Sequence, residues 1–347
     1  MTVWNGSAST PEEFSAGSAR TEARLNQDTG RRHTGIEPDT RDIADRLAVL
    51  FAGHYLILRL IGIGGMASVY LARHRRHQGL FAIKVLHPPL ADDDDLLGRF
   101  RREGLVGARL AGHPHIAPVL DVGEGDGLHY LVMPYIPGED LDHLLARLGR
   151  FSFDDALLAV IQINEALLYA WSQEILHSDL TPGNIRLNTF GQFILFDFGL
   201  ASVDHSPLDS IRTRSFSARA GTPLYMSPER ILVQPADIRS DLYALGAIFY
   251  ELVTGEAAFQ GRTPEEIESN HLSPVRSLSH SHLAPYPRIL PVLKSLLARF
   301  PEERCADPVA LKEALRGLAA YPPCLSVHPE ITPEQEVPQP RRRLSHI

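Results

Sequence analysis

Three short segments carry residues whose types and spacing could do chemistry. In His177-Ser178-Asp179-Leu180-Thr181-Pro182-Gly183-Asn184 a carboxylate and an amide stand five residues apart on one stretch. Such a pair can serve a nucleophile and a metal ion together. In Asp197-Phe198-Gly199 a carboxylate follows a strand-like run and precedes a permissive glycine, a combination that suits a Mg2+ ligand because hard cations take oxygen donors. Lys84 lies in Phe81-Ala82-Ile83-Lys84, where a charge among apolar strand residues is costly unless it is paired. Of the 34 basic residues only Lys84, Lys294 and Lys312 are lysine, and the rest are arginine. In a chain that writes arginine by default, this lysine reads less as a snorkelling edge residue and more as a compact ammonium for phosphate oxygens. Glu103, on the following helix, could pair with it.

Two further segments surround these. Gly62-Ile63-Gly64-Gly65-Met66-Ala67-Ser68-Val69 lies between two strand-like runs, and glycines there let backbone N–H groups approach phosphate without Cβ obstruction. Alone the signal is weak, since glycines in a hairpin are more often only a turn. A dinucleotide-binding turn would need a helix after it, and here a strand follows. The other segment is Gly221-Thr222-Pro223-Leu224-Tyr225-Met226-Ser227-Pro228-Glu229.

The elements that must hold these residues follow from periodicity. Strands are predicted over 55–61, 68–72, 80–86, 117–122 and 129–133, and helices over 96–110, 141–148 and 153–174. Asp92 to Asp95 precede the first of these helices, where the positive end of the helix dipole favours acids; a solvated acidic surface is an equally good account. Short strands over 185–187 and 193–196 flank a turn, residues 202–220 read as a polar surface loop, and the apolar run 241–253 reads as a buried helix. Strands come first and helices after, which predicts an α+β architecture in two lobes.

The composition sets limits. The 347 residues suit one two-lobed domain with tails, and the 44% hydrophobic and 22% charged content allow a sizeable core. The net charge of −8 argues against non-specific nucleic-acid or anionic-membrane binding. His54 and Arg59 interrupt the longest apolar candidate, residues 48–61, so no membrane anchor is expected, and the N-terminus lacks the pattern of a leader. Two cysteines, Cys305 and Cys324, make neither a disulfide framework nor a zinc site. The paired histidines His113, His115, His280 and His282 lack a completing carboxylate or Cys. These features together predict a cytoplasmic protein. Its parts are a disordered extension (1–40), a short helical lead-in (41–53), a catalytic domain (54–318) and a disordered tail (319–347). The oligomeric state is not legible.

In the order and spacing of these motifs the chain resembles the eukaryotic-like serine/threonine protein kinases, most closely their bacterial branch, over roughly 54–318. The resemblance implies the two-lobed protein kinase fold and transfer of the ATP γ-phosphate to Ser or Thr hydroxyls of protein substrates, with Mg2+. It implies nucleotide contacts from Ile61, Gly62, Ile63, Gly64, Gly65, Val69 and Ala82, from Lys84 and its partner Glu103, from Met133 at the gatekeeper position, and from the backbone of Pro134 and Ile136. Asp179 matches the catalytic base, and Asn184 and Asp197 match the metal ligands. Thr222 matches a threonine that bonds near the catalytic Asp, a mark of hydroxyl-amino-acid specificity. Glu229 matches the glutamate closing the activation segment, Arg304 its pairing arginine, and the run from Asp241 to Gly246 the helix supporting the catalytic loop.

Three positions depart from the family pattern. Ala67 stands for the third loop glycine, Ser178 for the arginine of His-Arg-Asp, and Thr181 for a lysine near the γ-phosphate. Losing that cation should weaken transition-state stabilisation and hence the rate. The competing readings are a pseudokinase or ATP-binding scaffold, and a small-molecule kinase of the aminoglycoside phosphotransferase type. The first is weakened because Lys84, Glu103, Asp179, Asn184 and Asp197 are all present, and ATP turnover would discriminate. The second shares the small residue before Asp179 but lacks the long segment from Asp197 to Glu229, which reads as a polypeptide-binding platform.

Overall fold

Runs rich in Ile, Leu, Val, Tyr and Phe between Tyr55 and Leu86 form three long strands, as β-branched and aromatic side chains favour. In the computed structural model, which describes residues 39–203, 223–273, 278, 281–318 and 325–330, these are β1 (Tyr55–Ile63), β2 (Ala67–His74) and β3 (Leu80–Leu86). With β4 (Asp121–Gly125) and β5 (Leu128–Pro134) they make an antiparallel sheet of order β1-β2-β3-β5-β4. The strand expected from residue 117 starts only at Asp121. Pro118 has no N–H to donate, and the Ala117 N–H goes instead to the Leu195 carbonyl at 2.9 Å.

Two helices cover this sheet. Helix α1 (Thr40–Leu50), capped by Asp39, buries Ile43 and Leu47 with Phe51 against Tyr70, Ile83 and Val132. Helix α2 (Asp94–Arg109) is capped by Asp93, whose side chain accepts from the Asp95 and Leu96 N–H groups, so the aspartate run does serve the helix start. Gly104 and Gly107 let α2 lie close to the chain leading into β4. A Cβ at these positions would stand 2.6 Å from Val122 and 2.5 Å from Val119. That close approach brings Glu103 towards β3.

The rest is mainly helical. α3 (Leu141–Leu148) and α4 (Phe153–Ser172) come first, then α5 (Pro228–Ile231), α6 (Ile238–Thr254), α7 (Pro264–Leu272), α8 (Ile289–Leu296) and α9 (Pro308–Arg316). α6 is buried along almost its whole length and shares the largest apolar core with α4, α8 and α9. Short strands carry the loops of interest: β6 (Gly138–Asp140), β8 (Ile185–Asn188) and β9 (Phe193–Leu195) in one sheet, and β7 (Ile175–Leu176) with β10 (Ser202–Val203) in another. Among the described residues no helix is long and apolar enough to cross a membrane.

Part of the span expected to be a disordered tail is in contact with the helical region. The Ser326 N–H and hydroxyl meet the two carboxylate oxygens of buried Asp155 at 2.6 and 2.5 Å. Arg147 donates to the His328 carbonyl at 3.2 Å, and the Glu330 N–H donates to Glu139 at 2.9 Å. Leu325 and Val327 pack on the core.

Candidate active site

The glycine-rich turn is closed by the Gly64 N–H on the Ala67 carbonyl at 2.8 Å, with Gly62 opposite Val69 and Ile63 opposite Ser68. Ile61, Gly62 and Ile63 end β1, Gly64 and Gly65 form the turn, and Val69 faces Lys84 across the β2–β3 pair. Ala67 keeps its methyl buried in an apolar cluster with Leu86, Phe100 and Leu131, against which Met133 packs. The departure from glycine is therefore absorbed by the core. Ala82 pairs with Met133, and Pro134 ends β5 opposite Phe81. Arg186 donates to the Ile136 carbonyl at 3.3 Å while holding Asp140 at 2.7 and 3.0 Å, which fixes the segment leaving the sheet.

Lys84 Nζ donates to both carboxylate oxygens of Glu103, at 2.6 and 2.7 Å, and stands 3.9 Å from Asp197 Oδ2. The Glu103 side chain is only 11% exposed. Burial, resisted by Lys84 and reinforced by the Asp197 carboxylate, pushes the Glu103 carboxyl up to about 7. Asp197 has a left-handed φ of 61°, and its Oδ1 accepts from the Gly199 N–H at 3.1 Å. A Cβ at 199 would sit 3.0 Å from that oxygen, which is why glycine suits the position.

The catalytic-loop candidate is held at nearly every peptide. The His177 and Ser178 N–H groups donate to the two carboxylate oxygens of Asp241 at 2.8 and 2.9 Å. The Asp179 N–H donates to His177 Nδ1 at 3.2 Å. Nδ1 is thus an acceptor, which leaves Nε2 as the proton-bearing nitrogen that donates to the Phe196 carbonyl at 2.9 Å. The Asn184 side-chain amide donates to the Asp179 carbonyl at 2.8 Å, and the Phe196 N–H donates to the Asn184 carbonyl at 2.8 Å. Phe196, immediately before Asp197, is therefore clamped on both sides by the loop that carries Asp179 and Asn184.

Behind the loop, Arg304 meets Glu229 through two bonds of 2.7 Å and stacks over Tyr243 at 4.7 Å. Ser240 also donates to Glu229. Burial opposes charge here, but these donors hold the Glu229 carboxyl below its ordinary value.

Of the residues singled out from the sequence, the structure thus brings Lys84, Glu103 and Asp197 together, and ties Asp179 to Asn184. Thr222 lies outside the described residues. The bridging role of His177, the Asp140–Arg186 pair and Arg230 were missed. Only Arg230 carried a signal, as a cation beside Glu229 in a loop system short of cations.

A two-lobed α+β fold with a lysine–glutamate pair, a strand-end Asp-Phe-Gly and a tethered Asp…Asn loop defines a class, and comparison agrees with it. The protein kinase domain family matches residues 55–315, and the chain belongs to that family. It is similar to serine/threonine-protein kinase PrkC of Bacillus subtilis, at 37% identity over 64% of this chain and 33% of that protein. It is similar to a probable serine/threonine-protein kinase, pknA2, of Bifidobacterium longum, at 35% over 80% of this chain and 36% of that one. Serine/threonine-protein kinase PknA of Mycobacterium tuberculosis is 36% identical over 66% of this chain and 53% of its own length. The chain spans about a third of the length of the first curated relatives it matches. The crystal structure of the Mycobacterium tuberculosis PknI kinase domain superposes with a TM-score of 0.59 at 31% identity, covering 77% of this chain and 96% of that one.

Proposed function

We propose that this protein is a serine/threonine protein kinase that transfers the γ-phosphoryl group of ATP to Ser or Thr hydroxyls of protein substrates. The observation that carries the reading is the Lys84–Glu103 pair, made through both carboxylate oxygens, with Asp197 beside it. An ATP-binding scaffold could use the same pair to hold phosphates, so it is turnover and not nucleotide binding that separates the two readings.

In this reading Lys84 holds the α- and β-phosphates and Glu103 fixes its ammonium. The turn of Gly62, Gly64 and Gly65 covers the phosphates, Val69, Ala82 and Met133 line the adenine side, and the backbone of Pro134 and Ile136 receives the base. Asp179 accepts or orients the proton of the acceptor hydroxyl, and Thr222 supports the choice of Ser or Thr. Asn184 and Asp197 would hold Mg2+, and their oxygen donors fit a hard cation: Asn184 spends its N–H on Asp179, which leaves its carbonyl oxygen for a ligand role. When bound, that ion neutralises phosphate charge as it develops. The domain assigned to this reaction is 54–318, and a cytoplasmic setting fits a reaction that consumes ATP.

The test is transfer from γ-labelled ATP to protein and peptide acceptors. Asp179→Asn should lose transfer while still binding Mg·ATP, whereas Asp197→Ala should lose Mg2+-dependent turnover. Loss of nucleotide binding with residual chemistry in Asp179→Asn would reverse the two roles. Transfer to small alcohols but to no polypeptide would replace the reading with a small-molecule kinase.

A further inference from the structure

Ser178 and Thr181 leave the catalytic loop without cations of its own, yet a guanidinium reaches it from 52 residues away. Arg230, in α5 next to Glu229, donates through Nη1 to the Ser178 carbonyl. It shares a small cavity with Ser178, Asp179, Thr181, Tyr225 and Asp241. Its charge faces the carboxylates of Asp179, Asp241 and Glu229, whose attraction opposes the effect of its burial.

We propose that Arg230 is a positioning residue for phosphoryl transfer: it supplies from outside the catalytic loop the positive charge missing at 178 and 181, and it locks the peptide that aims Asp179. The inference rests on the kinase reading above. Its argument is local. Ser178 has a φ of 65°, a left-handed conformation that a serine leaves unless both of its peptide groups are held. Asp241 holds the N–H side and Arg230 the carbonyl side. The next N–H, that of Asp179, is held by His177. A flip of the peptide between Ser178 and Asp179 would break both the charge-assisted bond from Arg230 to the Ser178 carbonyl and the bond from the Asp179 N–H to His177, and would turn the Asp179 side chain away. Arg230 is itself fixed, because its neighbour Glu229 is bound by Arg304 and Ser240. The cation is thus anchored to the rigid part of the helical region rather than to the loop it serves.

The experiment compares Arg230→Met, Arg230→Lys and the double variant Arg230→Met with Thr181→Lys, in the full chain. Arg230→Met should lower kcat by about tenfold or more with KM for ATP changed by less than about threefold, the pattern of an interaction made in the transition state. Arg230→Lys, and a lysine placed at 181 in the Met background, should each recover activity, since either restores a cation beside Asp179. A purely structural role would give a loss that follows the melting temperature and that neither Arg230→Lys nor Thr181→Lys repairs, and that result overturns the proposal. So does an unchanged kcat in Arg230→Met. Amide hydrogen exchange over residues 177–180, without nucleotide, supplies a readout independent of activity. It should quicken in Arg230→Met while exchange in α6 stays as it was. If the wild type transfers phosphate to no polypeptide, the kinase reading falls on its own, and unchanged exchange at 177–180 overturns the Arg230 tie separately.

Discussion

The molecule holds two carboxylates in similar grips with opposite electrostatic outcomes. Glu103 and Glu229 are both buried, and each receives two hydrogen bonds of about 2.7 Å or less from one basic side chain. Yet the Glu103 carboxyl is pushed up to about 7 while Glu229 is held below its ordinary value. The difference lies in the surroundings. Glu229 has a second donor in Ser240, and its arginine is planar, forked and fully buried. Glu103 has a lysine that remains 20% exposed, and it faces a second carboxylate, Asp197. One pair is a closed structural joint. The other sets two carboxylates against one ammonium, a surplus that the Mg2+ of the proposed reaction would offset. Burial with a doubly bonded basic partner describes both pairs, so it does not distinguish a joint from a site; the third charge does.

The strongest way to break this contrast is to remove the cation from the closed joint. Arg304→Met leaves a buried charge, so unfolding free energy should fall by about 3–5 kcal/mol in chemical denaturation. A change under about 1 kcal/mol would show that the joint is dispensable. The same operation on the open pair should act on chemistry instead. Lys84→Met should cut phosphoryl transfer by at least about a hundredfold, with little change in melting, because Glu103 can take up a proton near neutral pH. Lys84→Arg should fail as well, since a planar fork does not replace a point charge. Near-normal transfer in the arginine form would remove the argument from lysine scarcity.

The acid–base behaviour sharpens the comparison further. A carboxyl raised on folding contributes stability that is full below its unfolded value of 4.5 and is lost as pH rises through about 7. In the nucleotide- and metal-free protein, Glu103→Gln should therefore gain on the wild type in melting temperature between pH 5 and 8. Glu229 has the opposite sign: its contribution is present above 4.5 and is lost as pH falls through its lower folded value. The deficit of Glu229→Gln should be constant near neutrality and shrink only in acid. Parallel pH curves for the two variants would remove the distinction. The smallest effect belongs to another buried carboxylate, Asp155. Ser326→Ala deletes one of its bonds and should cost about 1 kcal/mol by denaturation.

The local patterns were the legible part. Alternating apolar strands, the Lys84 context and the Asp179…Asn184 spacing lie within short windows, and they emerge in the structure as neighbours. What escaped notice depends on chain segments far apart. Nothing near Asp155 marks it as the anchor of residues 325–330, since an acid in the first turn of a helix already has a sufficient local reason to be there. Leu325, Val327 and Pro329 do alternate with exposed polar residues, but the run is only six residues long and sits among prolines, too short to stand out in the sequence. The strand expected from residue 117 failed for a similar reason. Its composition suits a strand, but the partner for Ala117 is Leu195, in another sheet.

The family match stops at residue 315 and the last helix at Arg316, but the satisfied hydrogen bonds run on to Glu330. The Glu330 N–H sits on Glu139, in the strand that directly follows the segment leaving the five-stranded sheet. The departure point for residues 331–347 is therefore that edge, not the end of α9. Ten residues lie between Glu330 and Arg341, the first of the three consecutive arginines Arg341, Arg342 and Arg343. Covalent geometry limits that stretch to roughly 40 Å. A truncation drawn at the edge of the family match would thus remove the Ser326 donors to Asp155 together with the arginine run, two changes that one shortened chain cannot separate.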